Sequence, residues 1–355
     1  MKKLLSPFTK NELNLKNHVV MAPMTRSRAI DNIPNELMAE YYGQRAGAGL
    51  IITEGTSPTP DGLGYPRIPG IFSKEQIEGW EKTTRTVHAK GGTIFIQLMH
   101  TGRIGHPDNL PEGAELLGPS IIKAAGQIYT DKSGMQEHSA PVELTTKRVK
   151  EVIQGFVQAA VNAMEAGFDG IELHGANGYL IEQFLNPHVN HRSDEYGGNI
   201  QKRAAFAIEL ASKSAEAIGK EKVGIRFSPY SVAGDLYPYD SKEVHESYAY
   251  LATELNKIGI AYIHINLNDK TDRKTLEVIR KNFQGTIILC SGITIETAET
   301  ILEAGIADIV AFGRPFIGNP DLPVRFEKNA PLNAPDFSTA FTPGAKGYTD
   351  YPSLN

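Results

Sequence analysis

Thr286-Ile287-Ile288-Leu289-Cys290-Ser291-Gly292, the segment 294–304 with Gly305 behind it, and Ile309-Val310-Ala311-Phe312-Gly313-Arg314 decide the fold. Residues 286–289 form a short, β-branched apolar run of strand length. The segment 294–304 begins on a capping hydroxyl, Thr294, carries a helical pattern and stops at a glycine. Ile309–Phe312 is a second continuous apolar run. Strands buried on both faces read in this way, and two of them joined by a helix make a parallel βαβ unit.

The unit recurs in the N-terminal direction. Val19–Met21, 50–53, Ile94–Leu98, 170–173, Val223–Phe227 and 262–265 are six further apolar runs. Helical patterns over 73–89, 145–166 and Ser241–Ile258 separate several of them, each ending at glycine: Gly91-Gly92, Gly167 and Gly259. Eight strands alternating with helices predict an α/β fold, a closed (β/α)8 TIM barrel. An open doubly wound sheet is the alternative, disfavoured by the absence of a Gly-x-Gly-x-x-Gly turn. The 355 residues suit one such domain spanning 1–355. Between the third and fourth strands, 101–142 is an extended loop insertion rich in Gly, Pro and polar residues. A loop of that length predicts a lid or a substrate wall. The tail, 331–355, carries Tyr348 and Tyr351 and is expected to pack back on the barrel.

Composition narrows the function classes. Hydrophobic residues make up 41% and charged residues 22%, which fits a sizeable core and excludes disorder for most of the chain. Lys and Arg (36) against Asp and Glu (41) leave a net charge of −5, without the basic excess a nucleic-acid partner needs. The single cysteine, Cys290, excludes an intrachain disulfide framework and multi-cysteine metal sites, and fits a reducing cytoplasm. Met1-Lys2-Lys3-Leu4-Leu5 starts like a signal peptide, but the apolar run stops at Ser6-Pro7. No stretch reaches the ~18 apolar residues of a membrane span, so no membrane partner is expected.

Barrel sites lie at the C-terminal strand ends. There the sequence places Pro23-Met24-Thr25, Glu54-Gly55, Gln97, Met99, His174, Asn177, Tyr179, Arg226, Gly292 and Gly313-Arg314. Glycines after strands seven and eight allow close backbone approach, and the Arg314 fork matches phosphate oxygens, which together predict a phosphate site. His174, Asn177 and Tyr179 fall within six residues and bring imidazole, amide and phenol donors. Two such donors suit a developing oxyanion, and a phenol protonated at neutral pH suits a proton donor. His188 and His191 lack an obvious third ligand, so they read as a surface turn and no metal is expected.

These residues resemble the Old Yellow Enzyme family of FMN-dependent ene-reductases. The likeness rests on Val20-Met21-Ala22-Pro23-Met24-Thr25-Arg26, Gly49 to Gly55, Gln97-Leu98, His174-Gly175-Ala176-Asn177-Gly178-Tyr179 and Asp194-Glu195-Tyr196-Gly197-Gly198. It continues through Gly224 to Pro229, Ala311 to Leu322 and Gly347 to Pro352, almost end to end. The resemblance implies tightly bound, non-covalent FMN at the top of the barrel. It also implies NADPH or NADH as reductant and an electrophilic alkene or nitro compound as substrate. It assigns the phosphate to Gly292, the Ile293 backbone, Gly313 and Arg314, and the flavin pyrimidine edge to Arg226 and Gln97. The isoalloxazine falls to Pro23, Met24, Thr25 and Gly55. His174 and Asn177 would bind the substrate oxygen, and Tyr179 would protonate the α-carbon. Tyr65, Met99, Ala233 and Tyr348 are the implied substrate walls. Met99 stands where many members carry Trp, which implies a more adaptable pocket. A monomer or homodimer is expected.

Two other classes compete. A flavin-free lyase or isomerase on phosphorylated substrates needs a catalytic Lys or carboxylate at a strand end, where only Glu54 is offered. A non-catalytic ligand-binding barrel would not need His174 and Tyr179 together.

Overall fold

The computed structural model describes residues 3–354; Met1 and Lys2, the first residues of the signal-peptide-like start, and Asn355 lie outside the described residues. The barrel strands are β1 (Val19–Met21), β2 (Leu50–Thr56), β3 (Ile94–Leu98), β4 (Gly170–Gly175), β5 (Val223–Phe227), β6 (Tyr262–Asn266), β7 (Thr286–Cys290) and β8 (Ile309–Phe312). They form one closed barrel in chain order, parallel throughout, with β8 pairing β1. Strand β2 runs three residues beyond the apolar signal because pairing with β3 resumes at Gly55 and Thr56 after a register shift that leaves Thr53 and Glu54 out of the ladder.

Alternation along the strands grades the interior. Toward the N-terminal end lie Val20, Leu50, Phe95, Tyr262 and Ile309, plugged by Phe8, Leu13 and Leu15 of an N-terminal hairpin. Gly170 and Gly224 make room there: a Cβ on Gly170 would stand 2.4 Å from the Phe95 ring, and one on Gly224 2.2 Å from the Tyr262 ring. One layer further on, the inward positions turn polar, with Gln97, Glu172, Arg226 and His264 all buried. Burying four such groups is tolerated only if they satisfy one another or a ligand.

Ten α-helices lie among the described residues: α1 (Glu36–Gln44), α2 (Lys74–His88), α3 (Thr146–Glu165), α4 (Leu180–Leu185), α5 (Ile200–Ile218), α6 (Ser241–Ile258), α7 (Arg273–Asn282), α8 (Ile295–Glu303), α9 (Arg314–Gly318) and α10 (Leu322–Lys328). Helix α2 starts in a capping box in which Ser73 and Gln76 satisfy each other's backbone amides. Helix α8 uses Thr294 and Thr297 in the same way. None of the helices is long and apolar enough to cross a membrane.

The 101–142 segment carries a hairpin, Gln127–Thr130 against Gly134–Glu137, and a two-residue strand, Leu117–Gly118, paired with Val142–Glu143. The C-terminal tail lies against the β1 end of the barrel. Arg26 donates to Gly347 O at 2.8 Å, and Arg28 to Thr339 O at 2.8 Å and Ala340 O at 2.7 Å. Near the terminus, Arg325 donates to Pro352 O at 2.8 Å.

Candidate active site

The polar layer resolves into two connected networks. In the first, Gln97 Nε2 donates to Glu172 Oε1 at 2.8 Å, and Glu172 Oε2 lies 2.8 Å from His264 Nδ1. Burial pushes the His264 pKa down, but Glu172 beside it brings the net shift above the ordinary value. In the second, Arg226 Nη2 donates to Asn266 Oδ1 at 2.9 Å, and Asn266 Nδ2 donates to Asn177 Oδ1 at 3.0 Å. Ser291 Oγ also donates to Asn266 Oδ1, at 2.6 Å.

Polarity along this second chain is fixed by its first member. Arg226 has no acceptor, so the Asn266 oxygen must face it and the Asn266 amino group must face Asn177. The Asn177 oxygen is thereby occupied, and its NH₂ group is left to meet whatever stands above the barrel. Asn177 occupies the left-handed region, φ 57°, and so does Gly178, φ 81°. A side chain at Gly178 is excluded, since its Cβ would stand 2.2 Å from Ala233 O.

His174 lies on the inward face of β4, and its Nδ1 is buried without a partner among the described residues. Burial first, then Arg226 and His264, hold its pKa well below the ordinary value, so the ring is neutral at physiological pH and keeps one N–H donor. The Tyr179 ring meets it edge-on, centroids 4.9 Å apart, and the Tyr179 hydroxyl stands 3.2 Å from that of Tyr65. Burial and then Tyr65 push the Tyr179 phenol well above its ordinary pKa, so it holds its proton.

Tyr179, Tyr65 and Thr25 border a cavity of about 950 Å³. Ile128 and Tyr129 of the 127–137 hairpin, Gly234 and Asp235 from the loop after β5, and Phe341 and Thr342 of the tail are among its other walls; His174 and Asn177 are not. The insertion therefore contributes a cavity wall.

Three of the expected substrate walls are placed otherwise. Tyr348 is fully buried and stacks on Tyr41 at 4.0 Å, drawn inward by the Arg26 grip on Gly347; the tail reaches the cavity through Phe341 and Thr342 instead. Met99 is 1% exposed, in an apolar cluster with Leu63 and Ile68 behind Tyr65 and Tyr179. It fills the space over Gly55, whose Cβ would stand 2.4 Å from its sulfur. Ala233 touches the Asn177–Gly178 turn with its carbonyl, and the neighbouring Gly234 and Asp235 line the cavity. Glu172, His264 and Asn266 were not singled out in the sequence, although each is a polar residue alternating with apolar neighbours such as Ile171, Leu173, Ile263 and Ile265 on the same strand.

The residues fit a flavin mononucleotide. Arg226 Nε and His174 Nδ1 are buried polar atoms without partners among the described residues, which suits a polar ring system set against them. Past β7, Gly292 has φ 68° and open space where a Cβ would stand, leaving its backbone free for a close ligand. Gly313 follows β8, and Arg314 beside it is exposed. Pro23, Met24 and Thr25 are half-buried past β1. No cluster of three or more metal-ligating side chains occurs among the described residues.

Residues 3–333 match the NADH:flavin oxidoreductase / NADH oxidase family. The chain is 41% identical to 12-oxophytodienoate reductase 1 of Oryza sativa subsp. japonica, covering 99% of this chain and 93% of that one. Morphinone reductase, in a structure with tetrahydroNAD, superposes with a TM-score of 0.95 at 42% identity, covering 99% of this chain and 98% of that chain. The Old Yellow Enzyme homologue of Zymomonas mobilis superposes with a TM-score of 0.94 at 38% identity, covering 99% of this chain and all of the other. A (β/α)8 barrel with this site is a flavin-dependent oxidoreductase, and the chain belongs to the NADH:flavin oxidoreductase family, among the Old Yellow Enzymes. It is an FMN-dependent NAD(P)H enzyme that reduces activated C=C bonds.

Proposed function

We propose that the mouth of β4 is where the alkene is activated and protonated. Bound FMN supplies the redox chemistry, carrying two electrons from NAD(P)H to the alkene. Gly292, the Ile293 backbone, Gly313 and Arg314 would hold its phosphate, Arg226 and Gln97 its pyrimidine edge, and Pro23, Met24, Thr25 and Gly55 its ring. Neutral His174 and the Asn177 NH₂ group donate to the carbonyl or nitro oxygen of the substrate. They stabilise the negative charge that gathers there as the β-carbon is reduced. Tyr179, protonated and bordering the cavity, gives its proton to the α-carbon.

The observation that carries this reading is the obligate order Arg226–Asn266–Asn177, which leaves Asn177 presenting donors beside a neutral histidine. The cavity that Tyr179 borders, about 950 Å³, is of the size of small-molecule sites, which suits α,β-unsaturated carbonyl, maleimide or nitro substrates. The proposal includes one flavin domain with the tail closing one cavity wall. It also includes a cytoplasmic site of action, supported by the lone Cys290.

The test is stopped-flow kinetics of the two half-reactions in H174A and N177A. Loss of one donor to a developing oxyanion costs about 10²–10³-fold. Oxidation of the reduced enzyme by enones is expected to slow on that scale, and more than reduction by NAD(P)H. Unchanged oxidation in both variants removes these residues from substrate binding.

A further inference from the structure

Glu182 lies in the first turn of α4, is 5% exposed and has no part in the chemistry described above. Its two oxygens have defined partners. Gly178 N–H donates to Oε2 at 2.7 Å, and Ser228 Oγ donates to Oε1 at 2.8 Å. Ser228 Oγ in turn accepts from Asn177 N–H at 2.8 Å. The next residue of the helix completes the hold, since Gln183 Nε2 donates to Gly178 O at 2.7 Å. Both backbone amides of the left-handed pair Asn177–Gly178 therefore end, directly or through one hydroxyl, on a single buried carboxyl group.

That pair needs such a hold. An asparagine at φ 57° sits in a sparsely populated region, and it persists when its surroundings over-determine it. The turn lies between His174 on β4 and Tyr179 at the start of α4. Its conformation sets both the direction of the Asn177 amide and the approach of the Tyr179 phenol. Asn266 fixes which end of the Asn177 amide faces outward; the carboxyl below fixes where its backbone stands.

We propose that Glu182 is a positioning residue for the reduction, clamping the Asn177–Gly178 turn through Gly178 N–H and Ser228 so that Asn177 and Tyr179 meet the substrate together. The proposal rests on the reading of Asn177 as an oxyanion donor. Glutamine preserves the clamp, because its oxygen accepts from Gly178 N–H while its amino group donates to Ser228 Oγ. Methionine fills similar space and removes both hydrogen-bonding positions.

A stable phenolate mimics the developing oxyanion, so calorimetric binding of 4-nitrophenolate to the FMN-loaded protein reads the geometry of the turn without turnover. With the turn released, the Asn177 donor is no longer held in place for the phenolate oxygen, and binding is expected to weaken roughly tenfold in E182M and S228A. FMN content should stay at the wild-type level in both, and E182Q should bind within a factor of about three of wild type. S228A removes one oxygen atom and keeps the core intact, so it decides the matter should E182M fold poorly. Wild-type phenolate affinity in S228A, with weakened affinity in N177A, overturns the clamp and leaves the ene-reductase reading standing. Wild-type affinity in N177A overturns that reading and the clamp with it.

Discussion

Asn266 Nδ2 donates to Asn177 Oδ1 at 3.0 Å, and because Arg226 occupies the Asn266 oxygen, the direction of that bond admits no reversal. A residue on β6 thus decides which end of a residue past β4 faces the ligand. Asn266→Asp inverts the logic. The carboxylate of N266D accepts from Arg226 and can only accept from Asn177, so the Asn177 amide turns over and presents its oxygen to the substrate. Enone oxidation of the reduced enzyme is expected to fall about 10²-fold, as for loss of one oxyanion donor. Stopped-flow oxidation at the wild-type rate in N266D contradicts the account of Asn177.

Arg226 bears on His174 as well as on the proposed flavin edge. Its charge is the second cause, after burial, of the lowered His174 pKa. In Arg226→Ala, NMR titration of the His174 imidazole should therefore show the pKa rising toward its ordinary value. FMN is expected to dissociate faster from the same variant. A lowered melting temperature with unchanged FMN affinity would assign Arg226 a structural role only.

Two buried carboxyls give the fold a pH dependence. Burial pushes Glu182 up to about 8, with Tyr239 and Tyr248 packed nearby. It pushes Glu54 up to about 7, partly offset by bonds from Arg26 N–H and the Tyr42 hydroxyl. Between the ordinary glutamate value and these raised values the folded chain holds protons that the unfolded chain has released. The resulting stability is complete below about 4.5 and is lost as pH rises through 7 to 8. Melting temperature should fall from pH 6 to pH 9, and fall less in E182Q; equal slopes in the two proteins contradict the assignment.

The barrel was legible because parallel strands buried on both faces become continuous apolar runs, as in Ile287-Ile288-Leu289. Helix α5 was not, since its alanines and scattered lysines and glutamates in 200–218 give a weak apolar stripe, and its start depends on Asn199 capping Lys202 N–H. His174, Asn177 and Tyr179 stood out because three donors crowd one strand end. The cavity walls did not, because they are set by contacts distant in sequence. Tyr348 and Phe341 lie in the same tail, and only the Arg26 and Arg28 grips on 339–347 decide which is buried and which lines the cavity. Glu172 and His264 carried a signal in their inward register, readable once the strands were aligned.

The most direct measurement for the central claim is the oxidative half-reaction of Tyr179→Phe. The substitution removes the hydroxyl and keeps the ring against His174, so flavin content and reduction by NAD(P)H should change little. General acid catalysis is worth about 10²–10⁴-fold, so oxidation by an enone should slow on that scale. A nitroalkene should still reoxidise the enzyme quickly, because its nitronate product is stable without the proton, and should leave the site unprotonated. Wild-type rates of enone reduction in Y179F would contradict the account and assign the proton to water or another residue.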